Sequence, residues 1–190
     1  RYWKNFNQKF DPKKSRFTST NSFLIGLRPD ARNPNSPVYE DLTTQFNPTG
    51  PYCLIHFDGA LPRAKLYSHW EVQTNDLATL EILASQEFDP HAKLIVNSQI
   101  EPYTAAPNKA SGSVNITEYK PKEIQLTADA TTEAILLLND HWSPHWNVTV
   151  NGQPAELLRC NFVMRGVQLK PGQHEIVFRF QPPVTWLYVS

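Results

Sequence analysis

Apolar and polar residues alternate with a period of two through much of the last third of the chain, positions 135–180. Two of the alternating runs are Trp146, Val148 and Val150, and Ile176, Phe178 and Phe180. Successive side chains of a β-strand point to opposite faces, so this period predicts strands with one buried face. The unbroken apolar run 134–138 predicts a buried strand.

Turn signals separate these strands. Asn151-Gly152 lies between two extended runs, and a type I′ turn needs positive φ at both central positions, which Asn and Gly tolerate best. Pro171-Gly172 has the residues that a type II turn favours. The chain is therefore expected to reverse again before His174.

The alternation extends upstream, through 114–116 and 124–128, on either side of a reversal at 119–122. About seven strands within roughly 70 residues, separated by closely spaced turns, are typical of an antiparallel β-sandwich. We therefore predict a mainly β protein whose sandwich is of immunoglobulin-like or jelly-roll type. Sixteen prolines against seven glycines also favour short edge strands over long helices.

The residues ahead of the sandwich predict a smaller α+β part with one clear helix. Leucine and alanine recur at helical spacing over 75–86, and Thr74 or Asn75 can cap the first turn. A hairpin is predicted over 52–67, around Asp58-Gly59.

A segment poor in periodicity, 101–112, is interpreted as a linker. The predicted organisation is an N-terminal α+β region 1–105, a β-sandwich 112–183 and, in 184–190, the start of a membrane-proximal segment. Trp186 and Tyr188 support the last of these, because both residue types favour the headgroup level of a bilayer. An ordinary last strand is the alternative.

Charge and composition narrow the class of partner. The chain has 190 residues, with 18 Lys and Arg against 18 Asp and Glu, so no net charge attracts nucleic acid. Its two cysteines, Cys53 and Cys160, match no metal-ligand spacing, and the sequence leaves open whether they pair.

His141 and His145 are the first residues that a search for metal ligands would select. They lie four apart beside Asp140, a spacing that places two imidazoles on one metal when the segment is helical. Pro144 and the flanking strand pattern argue against a helix. We predict no metal site and no cofactor, and expect solvent-facing or hydrogen-bonded loop histidines.

Trp142 and Trp146 belong to the same loop and suggest a flat aromatic platform on which a sugar could stack. The alternative is that both rings fill the core, since large aromatic side chains at strand ends dominate core packing.

Arg63 and Arg165 each stand within an otherwise apolar strand. A buried arginine without a partner is costly, so each is expected to pair with a carboxylate or main-chain carbonyls. An anion or lipid-phosphate contact is the functional alternative. No GxSxG, GxGxxG or P-loop motif occurs, so no catalytic residue and no nucleotide site are predicted.

Several segments follow one another in the order of a known family. They are ALPRAKLY at 60–67, a helix ending near EFDP, a linker, VNITEYKPKEIQL, LLLNDHWSPHWNVTVNGQPAE and FVMRGVQLKPGQHEIVFRFQPP. Over about residues 52–183 the chain resembles the carboxy-terminal soluble region of bacterial YfhO-type membrane proteins. His145 stands where that family often has glycine, so the tight turn there is expected to differ.

The resemblance implies a multi-spanning parent, similar to lipid-linked-sugar glycosyltransferases of the GT-C type, in the bacterial cell membrane. It implies that this region lies on the extracytoplasmic side and that membrane segments outside this chain anchor it. Catalytic acids of such enzymes lie in loops near the membrane helices, so no catalytic residue is carried over. The parent, rather than this region, would be the enzyme.

Our first hypothesis is a noncatalytic extracytoplasmic module that recognises or positions an envelope glycan or a lipid-linked sugar. The candidate contacts are Trp142, Trp146, His141, His145, Arg63 and Arg165. A carbohydrate-binding domain of a secreted enzyme and a purely structural or protein-interaction module are the alternatives.

Overall fold

A computed structural model describes residues 2–32, 34–100, 103–104 and 111–183. The chain forms two compact units, Arg1–Ala60 and Leu61–Ser190. Most of the linker predicted at 101–112, with the boundary predicted near 105–112, lies outside the described residues, as does all of 184–190.

The first unit combines a helix with a three-stranded antiparallel sheet. Its elements are α1 (Tyr2–Phe10), β1 (Phe17–Leu27), a 3-10 turn (Tyr39–Asp41), β2 (Leu42–Phe46) and β3 (Tyr52–Phe57), and the strand order is β2-β1-β3. The ring of Phe17 lies 5.0 Å from that of Phe6 in α1 and 4.5 Å from that of Phe57 in β3. These aromatic contacts hold the helix against the sheet.

An ion pair fixes the turn between α1 and β1. The backbone N–H and the Nε–H of Arg16 donate to Oδ2 of Asp11 at 2.9 and 2.8 Å. These hydrogen bonds lower the pKa of the Asp11 carboxyl.

The predicted hairpin over 52–67 is wrong. β3 pairs with β1, through Phe57 opposite Phe17, and the next strand, β4 (Ala64–Tyr67), pairs in the second unit. Residues 60–63 are not strand, and Pro62 among them has no N–H to donate to a ladder. Leu66 and Tyr67 instead become buried, at 3% and 2% exposure.

The second unit contains two sheets and a helix. Its elements are β4, β5 (His69–Val72), α2 (Asp76–Ala84), β6 (Leu94–Val96), β7 (Tyr103–Thr104), β8 (Gly112–Tyr119), β9 (Glu123–Ala130), β10 (Ala134–His141), β11 (Trp146–Val150), β12 (Gln153–Ala155), β13 (Leu158–Cys160), β14 (Met164–Leu169) and β15 (Gly172–Phe180). Among the described residues one sheet has the order β4-β10-β14-β13-β6-β5-β7 and the other β12-β11-β15-β9-β8. In the described ranges of this unit, the strand pairings are antiparallel except that of β5 with β6.

One core lies between the two sheets. Leu136 and Val167 of the first sheet belong to the same buried cluster as Leu126, Ile176 and Phe178 of the second. The alternating residues predicted from the sequence thus form the inward faces of a sandwich, and the mainly β class is confirmed.

β10 is buried on both faces. Leu136 and Leu138 face the core between the sheets, whereas Ile135 and Leu137 belong to a second cluster with Trp70. A strand with apolar neighbours on both sides needs no polar alternation, which explains the unbroken apolar run.

Helix α2 confirms the helix predicted at 75–86, although its apolar side is not where the spacing predicts. Asn75 caps it, since its side chain accepts a hydrogen bond from the N–H of Ala78 at 3.1 Å. Leu77 and Leu80 are 73% and 41% exposed, and Thr79 is the buried residue.

Asn151-Gly152 forms the predicted turn, whereas at Pro171-Gly172 the chain only bends before β15 begins at Gly172. Asn151 and Gly152 have φ of 52° and 75° and close the hairpin of β11 and β12, as predicted. At Pro171-Gly172, φ of Gly172 is 125°, but β14 and β15 belong to different sheets. This bend therefore leads the chain from one sheet of the sandwich to the other. Cys53 and Cys160 are both free thiols.

Tyr67 gives the second unit an alkaline sensitivity. Its hydroxyl donates to the carbonyl of Pro90 at 2.6 Å, and burial, assisted by the charge of Asp89, raises its pKa to about 12. When folding raises the pKa of a group, the stability that the group contributes is complete below its pKa in the unfolded chain, about 10 for tyrosine. That stability is lost as the pH rises towards the pKa in the folded protein. Between these two pKa values, we expect the free energy of unfolding to fall by about 2 to 3 kcal/mol relative to that of a protein without this hydroxyl.

The Tyr67→Phe variant checks this expectation. The phenylalanine cannot ionise, so the free energy of unfolding of the wild type should fall relative to that of the variant between pH 9 and pH 11.5. Denaturant titrations of both proteins at each pH measure the difference. Two parallel stability curves would contradict the expectation.

Candidate functional site

A β-bulge at the end of β10 directs Asp140 towards charged neighbours. Leu138 pairs with Arg165 of β14 and His141 with Met164, so Asn139 and Asp140 have no partner on β14. Asn139 is held instead by the segment before β4, where its N–H donates to the carbonyl of Arg63 at 2.8 Å. Extra residues of this kind often re-aim a side chain next to a functional site.

Two arginines converge on the carboxylate of Asp140. Nη2 of Arg63 lies 2.7 Å from Oδ1, and Nη2 of Arg165 lies 3.0 Å from Oδ2. Nη1 of Arg165 donates to the carbonyl of His141 at 2.9 Å. Both arginines therefore have the carboxylate partner that was expected for them, and it is the same one. Arg165 lies in a strand as predicted, whereas Arg63 lies just before β4 and not within a strand.

Tyr119 at the end of β8 completes this group. Its hydroxyl accepts a hydrogen bond from Nη2 of Arg63 at 2.5 Å and donates to Oδ2 of Asp140 at 2.9 Å. The guanidinium carbon of Arg63 lies 4.5 Å from the centre of the Tyr119 ring. We call Arg63, Tyr119, Asp140 and Arg165 the arginine cluster.

The two guanidinium groups differ in their surroundings. The side chain of Arg63 is 56% exposed and that of Arg165 is 3% exposed. The hydrogen bond to Tyr119 and the charge of Asp140 raise the pKa of Arg63. Burial lowers the pKa of Arg165, and Asp140 opposes that effect. Both groups stay charged, since arginine is not deprotonated in proteins.

The loop after β10 sends its two tryptophans in different directions. Trp146 lies over the guanidinium of Arg165, 3.8 Å from its carbon, and 5.3 Å from the ring of Phe180. His145 also contacts Phe180, with ring centres 6.2 Å apart. Trp146 and His145 thus belong to the side of the loop that packs against β15.

Trp142 and His141 instead line a cavity of about 300 Å³ on the other side of the loop. The remaining walls are Ser143, Pro144, Arg159, Phe162 and Val163. The six predicted contacts therefore do not form one site. His141 and Trp142 line the cavity, and Arg63 and Arg165 belong to the arginine cluster. Trp146 and His145 do not line the cavity: Trp146 packs on Arg165, and both contact Phe180.

The cavity's far wall is a strained turn between β13 and β14. Asn161 and Phe162 have φ of 43° and 70°, a region that a bulky side chain such as phenylalanine rarely adopts. Asn161 holds the turn in place, because its N–H and its side-chain oxygen bond the carbonyl and N–H of Ile95 at 2.8 and 3.0 Å. Strain of this kind concentrates at ligand sites.

A cation lies between the cavity's two aromatic rings. The guanidinium carbon of Arg159 is 5.9 Å from the Trp142 ring and 5.8 Å from the Phe162 ring. Asp76, at the first turn of α2, accepts hydrogen bonds from both terminal nitrogens of Arg159. The ion pair neutralises the cation and fixes its position.

Sequence reasoning missed four of these contributors. Tyr119, Arg159, Phe162 and Asp76 come from different strands, loops and a helix, and no local pattern marks them. One local signal was present: Asn161 lies between two short apolar runs, and asparagine adopts positive φ more readily than most residues. It indicated a turn at Asn161-Phe162, but not that the turn lines a cavity.

A larger depression of about 660 Å³ lies on the outer face of the five-stranded sheet, beside Asn115, Thr127, Asp129 and His174. Its lining contains no tryptophan, tyrosine, phenylalanine or arginine. It therefore lacks the large aromatic rings and the arginine that line the smaller cavity, and we place the candidate site at Trp142.

In the described part of the chain, no three His, Cys, Asp or Glu side chains are grouped as ligands for an ion. The Trp142 ring can stack on a ligand, and the arginine cluster can donate hydrogen bonds and attract anions. These are the properties of a binding site.

Comparison with known families decides where the chain belongs. The model of the family described as "Bacterial membrane protein YfhO" matches residues 70–189. The chain belongs to the YfhO family. The match includes the cavity and three residues of the arginine cluster, while Arg63 precedes it. Among curated proteins and among solved structures, no match was found.

The family is one of membrane proteins, and the resemblance predicted from the sequence is confirmed. Within the described residues of this YfhO-family chain, no helix has both the length and the apolar character needed to cross a bilayer.

Proposed function

We propose that the second unit is a noncatalytic, extracytoplasmic module of a YfhO-family membrane protein that holds an envelope glycan or the sugar of a lipid-linked glycan. The single observation that carries the proposal is the cavity beside Trp142, with aromatic rings on two walls. Membership of a membrane protein family supports a role at the bacterial cell membrane.

The cavity's size and lining suit one saccharide ring. About 300 Å³ is at the lower end of the volumes of small-molecule sites, which are mostly apolar with a few fixed polar groups. The C–H groups on one face of a sugar pack against an indole ring, as apolar groups pack on aromatic faces generally. Trp142 supplies that surface.

Arg159 supplies fixed hydrogen-bond donors beside it. Because Asp76 holds the guanidinium in place, little side-chain freedom is lost when a hydroxyl oxygen accepts a bond from it. The same ion pair leaves no net charge in the cavity. We therefore expect a neutral sugar at this position.

The Trp142→Ala variant tests the proposal. Saturation-transfer difference NMR with the methyl glycosides of glucose, galactose and N-acetylglucosamine should show saturable binding of at least one by the wild type. Loss of the indole should raise its Kd about tenfold, or about 1.4 kcal/mol. Trp142→Phe, which keeps an aromatic face, should retain part of the affinity.

His145→Ala is the matched control, because His145 lies in the same loop but contacts Phe180 instead of the cavity. It should bind as the wild type does. If none of the glycosides binds, or if Trp142→Ala and His145→Ala weaken binding equally, the proposal is wrong. A structural or protein-interaction module would then be the better interpretation.

A further inference from the structure

Two arginines occupy directly opposite positions on neighbouring strands beside the cavity. Arg159 of β13 pairs with Arg165 of β14, so their side chains leave the same face of the sheet. Like charges in opposite positions destabilise a sheet unless each is compensated. Asp140 is the ion-pair partner of Arg165, and among the described residues Asp76 is that of Arg159. Whether the cavity wall at Arg159 is neutral or positive therefore depends on Asp76.

The carboxylate of Asp76 is held against Arg159 by several groups. Asp76 lies in the first turn of α2, where the helix dipole favours a negative charge. Nδ2 of Asn97 donates to Oδ1 of Asp76 at 3.2 Å and to the carbonyl of Thr74 at 3.2 Å. Both carboxylate oxygens accept from Arg159. The ion pair is thus arranged before any ligand binds.

Asp76 itself does not line the cavity. Arg159 does, and its guanidinium lies between the rings of Trp142 and Phe162. Any effect of Asp76 on a bound ligand is therefore transmitted through Arg159, as a change in the charge of the cavity wall.

This ion pair discriminates against acidic ligands. Arg159 has five N–H groups and Asp76 uses two of them, so a hydroxyl oxygen can accept a bond without displacing the carboxylate. A ligand carboxylate would lose its water, compete with Asp76 for the same cation and be repelled by it. Without Asp76, the same cation would instead attract a carboxylate, with a charge-assisted hydrogen bond.

We propose that Asp76 determines the charge of the sugar that the Trp142 cavity accepts. Paired with Arg159, it selects uncharged sugars over acidic ones, and without its carboxylate the preference reverses. The inference rests on the proposed function and adds to it a specificity-determining residue outside the cavity. A purely structural role would weaken the binding of both kinds of sugar equally.

The test compares each neutral sugar with the same sugar carrying a carboxylate at C6. The neutral probes are the methyl glycosides of glucose, galactose and N-acetylglucosamine, and the acidic probes are the corresponding methyl uronides. NMR titrations of the whole chain, at pH 7 and constant ionic strength, give both Kd values. The wild type should bind the neutral sugar at least threefold more tightly. Asp76→Asn should change the ratio of the two Kd values at least tenfold in favour of the acid.

Glu71→Gln is the matched control, because it removes the carboxylate of another exposed ion pair, that with Lys93. Glu71 and Lys93 are 44% and 29% exposed, against 50% and 25% for Asp76 and Arg159. The control changes the net charge by the same amount and should leave the ratio at its wild-type value. Asp76→Asn combined with Arg159→Gln removes the cation as well, and should lose the gain in affinity for the acid. Asp76→Glu keeps the charge and should keep the wild-type preference.

Two measurements keep this inference and the proposed function apart. Binding of a neutral glycoside by the wild type decides the proposed function, and its absence overturns both. The Kd ratio decides the present inference. A reversed preference in Asp76→Asn but not in Glu71→Gln supports it. An unchanged ratio in Asp76→Asn, an equal change in Glu71→Gln, or a wild type that prefers the acid overturns it, while neutral binding that depends on Trp142 leaves the proposed function standing.

Discussion

The Asp140→Ala variant is expected to unfold with a free energy about 3 to 5 kcal/mol smaller than that of the wild type. Asp140 is the carboxylate shared by Arg63 and Arg165. Among the described residues, its removal leaves the Arg165 guanidinium, 3% exposed, with the His141 carbonyl as its remaining hydrogen-bond partner. An uncompensated buried charge is among the costliest changes that a single substitution makes. Urea denaturation at pH 7, followed by far-UV circular dichroism, measures the loss.

Two further variants separate this explanation from simple loss of contacts. Glu123→Ala removes the carboxylate of an exposed pair with Arg179 and should cost no more than about 1 kcal/mol. Asp140→Leu combined with Arg165→Met removes both buried charges, so most of the lost stability should return. If the double variant is as unstable as Asp140→Ala, buried charge is not the cause.

The Leu136→Ala variant is expected to destabilise the second unit by about 2 to 5 kcal/mol. Leu136 is 0% exposed in the middle of β10, within the cluster between the two sheets. Neighbouring strands on both sides, β4 and β14, limit how far the structure can close around the missing atoms. The cost therefore includes an internal cavity as well as the lost transfer of apolar atoms from water.

Leu77→Ala is the same chemical change at a site that is 73% exposed in α2. It should alter the free energy of unfolding by no more than about 0.5 kcal/mol. Thermal and urea denaturation of both variants give the comparison. Equal effects at the two positions would mean that β10 is not the centre of the core.

The strands of the sandwich were predictable because their signal is local. Alternation at Ile176 and Phe178 depends only on neighbours two positions away, and Asn151-Gly152 determines its own turn. The helix capped by Asn75 was predictable for the same reason. Its packing was not, since Leu77 and Leu80 have the spacing of a buried face and lie exposed.

Local signals failed where pairing partners are distant. β4 follows β3 closely in sequence, yet it pairs with β10 because Leu66 and Tyr67 find buried neighbours there. Helix α1 was not predicted at all, and its aromatic residue Phe6 finds its contact only through Phe17.

The candidate site shows the same limit. Arg63 lies 77 positions from Asp140 and 56 from Tyr119, so the sequence could predict that Arg63 needs a partner but not which one. The bulge that exposes Asp140 to both arginines is a property of the pairing between β10 and β14. Phe162 joins the cavity through a backbone angle that its residue type disfavours.

The family pattern begins at residue 70, but the sheet begins six positions earlier, at Ala64 of β4. β4 pairs with residues 135–138 of β10 and forms the edge of its sheet. A protein trimmed to the recognised pattern would leave the most apolar strand of the chain with open backbone donors and acceptors, a template for intermolecular strand addition. We therefore expect that a soluble fragment of this unit needs residues before position 70, where the match to the family begins.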